Sequence, residues 1–247
     1  IYATLPRIDF ITEADWHEER VLLKAAFPVN VRSTRATYEI QFGSLERPTH
    51  WNTSWDWARF EVSGHRWADL SEGNFGVALM NDCKYGYDIK NQVMRLTLIK
   101  SAIHPDPLAD KGYHQFTYSL LPHAGDWREG DVTRQAAALN IPLLVHRIGT
   151  TAPGGSLPLA HSFASVNAPH VLLDTVKRAE DGDGWVIRLY EYQQMGCAAV
   201  HVRFGTPVRR AVECDLMEEN LQPVQHDATG IHFPIRPFEI KTFRVWF

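Results

Sequence analysis

The sequence predicts an all-β protein, a large β-sandwich followed by a smaller one. Three observations carry this prediction. Apolar residues recur with a period of two or in short runs, the pattern of strands rather than helices. Clusters of Pro, Gly, Asn and Asp separate those runs at short intervals. Only one stretch of the 247 residues has a helical pattern.

Taken in order, the opening "IYATLPRIDF" reads as a strand already in progress. The chain is therefore expected to begin inside a longer protein. "ATYEIQF" sets Thr37, Glu39 and Gln41 on one face and Ala36, Tyr38, Ile40 and Phe42 on the other, as in a half-buried strand. "FGVALM", "VMRLTLI", "HQFTYSLL" and "IPLLVHRI" read as further strands, and "HVLLDTVKRA", "GWVIRLYEY" and "CAAVHVRF" continue the series. "RPTHWNTS", "HPDPLADKG", "AEDGDG" and "ATG" supply the turn chemistry between them. The helical stretch is "WREGDVTRQAAALN", where Asp131 is placed to act as N-cap. "GTTAPGGSLPLA", Gly149 to Ala160, concentrates Pro, Gly, Thr and Ser, which marks a domain boundary. The expected domains are 1–155 and 156–247.

Composition narrows the function. The net charge is −4 with acids and bases interspersed, so no basic stripe points to nucleic acid. No apolar run approaches the roughly 20 residues of a membrane-spanning helix. The three cysteines, Cys83, Cys197 and Cys214, form neither a disulfide framework nor a C-x-x-C pair. A cytoplasmic location fits that usage best. Eight Trp, eight Tyr and twelve Phe suit strands, and aromatics also line sugar sites. Trp51, Trp55 and Trp57 cluster in "THWNTSWDWARFEV", with packing as the favoured role and a sugar-stacking platform as the other.

Polar residues gather after one buried-type strand. Gly76 to Met80 runs into Asn81, Asp82, Lys84, Tyr85, Tyr87 and Asp88, and the next strand runs up to Lys100. Groups held rigidly at a strand end can face a site, although the same residue types also make ordinary turns. His104, Asp106, Asp110 and His114 lie in a loop stiffened by two prolines and read as solvated. Among 29 acidic residues no local pattern selects a glycosidase pair, and Glu39, Glu46, Glu61 and Glu72 are each expected on a solvated face. No metal-ligand spacing appears, so no zinc is expected in this chain.

Several long motifs follow one another in order: "DWHEERVLLKAAFPV", "ATYEIQFGSLERPTHWNTSWDWARFEV", "HRWADLSEGNFGVALMNDCKYGYD" and "HPDPLADKGYHQFTYSLLPHAGDW". "HSFASVNAPHVLLDTVKRAEDGDGWVIRLYEY" and "IRPFEIKTFRV" continue them. Together they resemble the C-terminal region of glycoside hydrolase family 38 α-mannosidases, in the bacterial and cytosolic–vacuolar branch. The resemblance implies a galactose-mutarotase-like super-sandwich followed by a small β-sandwich. It implies a retaining enzyme acting on terminal α-linked mannose, with a divalent metal, usually zinc, at the sugar. The nucleophile and metal ligands are expected upstream of this chain. The partners implied are the enzyme's own N-terminal catalytic domain and a mannose-containing oligosaccharide; a homo-oligomer is compatible with this. A basic residue of the β region reaches the substrate in such enzymes, which makes Lys100 the candidate and Arg95 the alternate. Asn81, Asp82, Tyr85 and Tyr87 are the other candidate sugar-binding residues. A free-standing carbohydrate-binding module, or a mutarotase-like epimerase with its own His and carboxylate, are the competing readings.

Overall fold

The structure, a computed structural model, describes residues 2–147, 155 and 157–247. Contacts divide the chain into two units, Ile1–Leu144 and Val145–Phe247. The linker-like stretch from Gly149 to Ala160 lies mostly outside the described residues.

The first unit begins with β1 (Ile8–Trp16), β2 (Leu23–Pro28), β3 (Arg35–Ile40) and β4 (Gly43–Pro48). Helix α1 (Ser54–Ala58), β5 (Val62–Ser63), β6 (Trp67–Glu72) and β7 (Phe75–Asn81) follow. β8 (Gly86–Lys90), β9 (Val93–Ile99), β10 (Gly112–Ala124) and α2 (Val132–Asn140) complete it. Six strands form one antiparallel sheet in the order β1-β10-β7-β6-β3-β4, and four form a second, β2-β9-β8-β5. Alternation sends Tyr38, Leu70, Leu79 and Phe116 from the first sheet and Tyr87, Ile89, Met94 and Leu96 from the second into one core. The six-stranded sheet is also buried on its other face. There Trp67 meets Trp127 at 5.1 Å between ring centroids, and α2 buries Val132, Thr133 and Ala136.

The second unit is built from β11 (Ala164–Val166), β12 (Val171–Arg178), β13 (Trp185–Glu191), β14 (Cys197–Phe204) and β15 (Arg210–Cys214). It ends with β16 (Gln222–Pro223), β17 (Gln225–Asp227), β18 (Gly230–Ile235) and β19 (Ile240–Trp246). A four-stranded sheet, β11-β14-β18-β17, and a five-stranded one, β12-β13-β19-β15-β16, share a core of Val200, Val202, Ile231 and Phe233 against Ile187, Leu189, Phe243 and Val245. The all-β expectation therefore holds, with two sheets in each unit.

Several local expectations are corrected. "IPLLVHRI" is not a strand over its described part: residues 141–147 have no regular structure, and Leu143, Leu144 and Val145 are at least 95% exposed. An apolar run forms a strand only where a neighbouring strand or layer receives it. Asp131 stands at the start of α2, but with φ of 50° its side chain does not cap the helix and instead lies 3.6 Å from Arg134. Helix α1 was not expected. Thr53 caps it, its Oγ1 accepting from Asp56 N at 3.1 Å and donating to Asp56 Oδ2 at 2.8 Å, a reciprocal bond that the Thr-x-x-Asp spacing encodes.

Candidate functional site

β7 ends at Asn81, and the residues after it are fixed one bond at a time. The Asn81 side chain is fully buried; its Nδ2 donates to His65 O at 3.0 Å and to the Tyr87 hydroxyl, while its Oδ1 accepts from Lys84 N at 2.6 Å. From the other side, Asn140 at the end of α2 donates to Asn81 O at 2.9 Å. Tyr87 is also fully buried, edge-on to Tyr38 at 6.1 Å, and burial pushes its phenol far above the ordinary range. Gly64 is required by this packing, since a Cβ there would lie 2.7 Å from the Tyr87 ring. Asp82 is half-buried and extends the β7–β10 pairing, its N donating to Thr117 O at 3.1 Å and its Oδ2 accepting from Thr117 N at 2.9 Å. Asn81, Asp82 and Tyr87 thus form a floor, and two of the three are sealed from any ligand.

Tyr85 is different. It is 51% exposed and stacks on His65 with centroids 5.3 Å apart. Together they line a cavity of about 300 Å³ with Glu39, Gln41, Ser63 and Gly64. Glu39 departs from its expected solvated position, being 3% exposed. Arg66 explains this: its Nη2 lies 2.6 Å from Glu39 Oε1, and its backbone N donates to Oε2 at 2.7 Å. A histidine and a carboxylate therefore meet in one cleft, as an epimerase would need, but the carboxylate is committed to an ion pair and offers no free base.

The two basic candidates are separated by their surroundings. Arg95 pairs across the sheet with Asp88 at 3.4 Å, and Lys24 joins the same carboxylate at 3.6 Å. Lys100 follows β9, exposed, with no ion pair among the described residues. Tyr87 is the strand partner of Leu96, so β9 runs into Lys100 at the end of the sheet where β8 begins. Lys100 and Tyr85 are therefore exposed groups at one end of the four-stranded sheet. The loop of His104, Asp106, Asp110 and His114 serves its own backbone: Asp106 Oδ1 accepts from Leu108 N, Asp110 Oδ2 from Ser101 N, and His114 Nε2 meets Asp110 O.

The tryptophan cluster corrects the packing expectation. Trp51, Trp55 and Trp57 are 43%, 77% and 60% exposed, with Phe60 beside them in sequence at 73%. The short helix turns Asp56 inward to Thr53, which leaves its neighbours outward. Lys90 Nζ anchors the preceding loop by donating to Pro48 O at 2.9 Å and His50 O at 3.1 Å.

Residues 1–108 match the model of the glycosyl hydrolases family 38 C-terminal domain, and residues 170–243 match the family 38 C-terminal beta sandwich domain. The chain is 48% identical over 218 residues to alpha-mannosidase 2C1 of Homo sapiens, covering 86% of this chain and 20% of that protein. It is 33% identical to the alpha-mannosidase of Saccharomyces cerevisiae over 99% of this chain and 24% of the relative. An alpha-mannosidase structure from Enterococcus faecalis superposes with a TM-score of 0.77 at 20% identity, over 97% of this chain and 27% of that one, which shows a shared fold. The chain spans about a fifth to a quarter of the length of these curated relatives. It belongs to glycosyl hydrolase family 38, within the C-terminal β region of that family.

Proposed function

We propose that this chain is the C-terminal β portion of a retaining α-mannosidase that removes terminal α-linked mannose. The observation that carries the proposal is its high identity to alpha-mannosidase 2C1 along 86% of this chain but only 20% of that relative. Retaining hydrolysis needs two carboxyl groups about 5 Å apart across the sugar. In the cavity beside Tyr85 the one carboxylate is Glu39, already paired with Arg66. We therefore assign the nucleophile, and the divalent metal expected at the sugar, to the part of the enzyme outside this chain. The residues around Tyr85 offer His65 as the one uncommitted metal-type donor, too few for such an ion.

On this reading the β region braces the catalytic domain, and Tyr85 and Lys100 reach the rim of its site. The exposed tryptophans fit a surface that another part of the enzyme covers. The free thiols of Cys83, Cys197 and Cys214 suit a reducing, cytoplasmic setting, and no helix among the described residues is long and apolar enough to cross a membrane.

The test is turnover of an aryl α-mannoside with zinc or cobalt supplied. The 247-residue chain alone should be inactive, and activity should appear on mixing with the separately produced N-terminal part. Turnover by the chain alone would overturn the assignment.

A further inference from the structure

The second unit brings together three side chains that lie far apart in sequence. His201 on β14 and His232 on β18 are direct cross-strand partners. Their rings stack with centroids 4.0 Å apart and planes 20° apart. β17, on the far side of β18, ends at Asp227, whose Oδ2 lies 3.1 Å from His232 Nε2. One donor atom from each of the three lies within 4.8 Å of the others.

The carboxylate is fixed before any ligand arrives. Asp227 Oδ1 accepts from Thr229 N at 2.7 Å, Thr229 Oγ1 at 2.6 Å and Gly230 N at 3.1 Å, the bonds of an Asx turn. That leaves Oδ2 to face the histidines. His201 Nε2 is buried and has no hydrogen-bond partner among the described residues, and such a group calls for an explanation. Gly230 keeps the space beside this nitrogen open: a Cβ there would lie 2.8 Å from it and 2.0 Å from Val202 O.

A stacked ladder with an Asp–His pair would account for His232 and Asp227. It does not account for His201 Nε2. We propose that His201, His232 and Asp227 form a binding site for a divalent transition-metal ion of the zinc class. Two imidazoles and a carboxylate select zinc, nickel or copper over magnesium or calcium. Asp227 is exposed and His232 is half-buried, so a fourth position is open to water. Tetrahedral zinc with ligands near 2.0–2.1 Å holds its donor atoms about 3.3 Å apart; Asp227 and His232 already meet that separation at 3.1 Å, and the remaining donor atoms, all within 4.8 Å, close by at most about 1.5 Å. Arg203 Nε makes a long 3.4 Å contact with His201 Nδ1. Binding through Nε2 places the ring proton on Nδ1 and gives up that contact. The ion would tie β14 to the β17–β18 hairpin, and its role is that of a clip within this unit. The site is independent of the chemistry assigned above to the catalytic domain.

The test uses the untagged 247-residue chain, dialysed against zinc chloride, with bound metal counted by mass spectrometry. Stoichiometric zinc is expected, with a zinc-dependent rise in melting temperature and a tetrahedral cobalt(II) spectrum that zinc displaces. Binding should weaken at least about tenfold in His232→Gln, because even an outer-shell partner of a metal ligand is worth about that much. Asp227→Asn should weaken it too; this variant keeps the Oδ1 turn bonds and guards against misfolding of the first. Cys83 is the exposed thiol, and Cys83→Ser should leave binding unchanged. Absence of bound zinc, or zinc that survives both ligand variants or is lost with Cys83→Ser, would overturn the site.

Discussion

At the scale of single residues, burial separates groups that reach a ligand from groups that hold the frame. Lys100 is exposed at the sheet end beside Tyr85's loop, whereas Arg95 is committed to Asp88. In the intact enzyme, Lys100→Ala is expected to lower kcat/KM for a mannoside by about tenfold or more, the worth of one charge-assisted hydrogen bond. Its melting temperature should not change. Arg95→Ala should leave kcat/KM near wild type, and unchanged kinetics in Lys100→Ala would remove that residue from the rim. The sequence showed a polar cluster after a buried strand but could not separate its floor from its lip. Whether the Tyr87 hydroxyl meets water or the Asn81 side chain depends on the opposing sheet, which no local pattern reveals. Glu39 departs from its expected solvated face for the same reason: it is buried by a partner, Arg66, that lies 27 residues away in sequence. His201, Asp227 and His232 left no spacing to find, because strand register rather than chain distance joins them.

At the scale of elements, β6 and β10 are joined by a buried ionisable pair. His123 Nε2 lies 2.7 Å from Asp69 Oδ2, and His123 Nδ1 lies 3.2 Å from Ala124 O. Both ring nitrogens therefore face acceptors, the arrangement of an imidazolium. Ser71 Oγ donates to the other oxygen of Asp69, and Asp126 adds a further negative charge. Burial alone would lower the histidine's pKa, but the Asp69 bond and charge outweigh it and raise it above the ordinary value. Burial likewise raises Asp69, so the pair keeps its proton to higher pH than the unfolded chain does. The native state then binds more protons than the unfolded state as pH climbs past the ordinary histidine value near 6.5. The stabilisation is complete below that value and is lost as pH rises through the raised one. The urea midpoint of the transition reported by the Trp67–Trp127 pair should fall as pH rises above about 6.5. The slope should flatten in the Asp69→Asn, His123→Gln double variant; a midpoint that rises over this range would contradict the pairing. Strands were legible where alternation met a partner, as in "VMRLTLI" and "CAAVHVRF", which match β9 and β14 residue for residue. The five-residue α1 is too short to show a helical period, and only its capping residues betray it.

At the scale of the whole molecule, each unit encloses its own core, yet much apolar surface stays outside. Trp55, Trp57 and Phe60 of the first unit are at least 60% exposed, and Ile141 is 71% exposed ahead of the more exposed Leu143 and Leu144. Monomers seldom leave such surface bare without a partner for it. Sedimentation of the isolated chain should show concentration-dependent association that Trp55→Ser with Trp57→Ser reduces; a monodisperse monomer at all concentrations would mean this surface is content in water. The strand order of the second unit has a different consequence, for biosynthesis. Of this sheet's strands β19 comes last in the sequence, yet it lies between β13 and β15 in the middle of the sheet. Until the ribosome releases residues 240–246, the five-stranded sheet is two separate strand pairs with a gap between them, and Phe243 and Val245 are missing from the core. This unit cannot complete its sheet progressively behind the growing chain, and deletion of residues 240–246 would remove the sheet's centre rather than its edge.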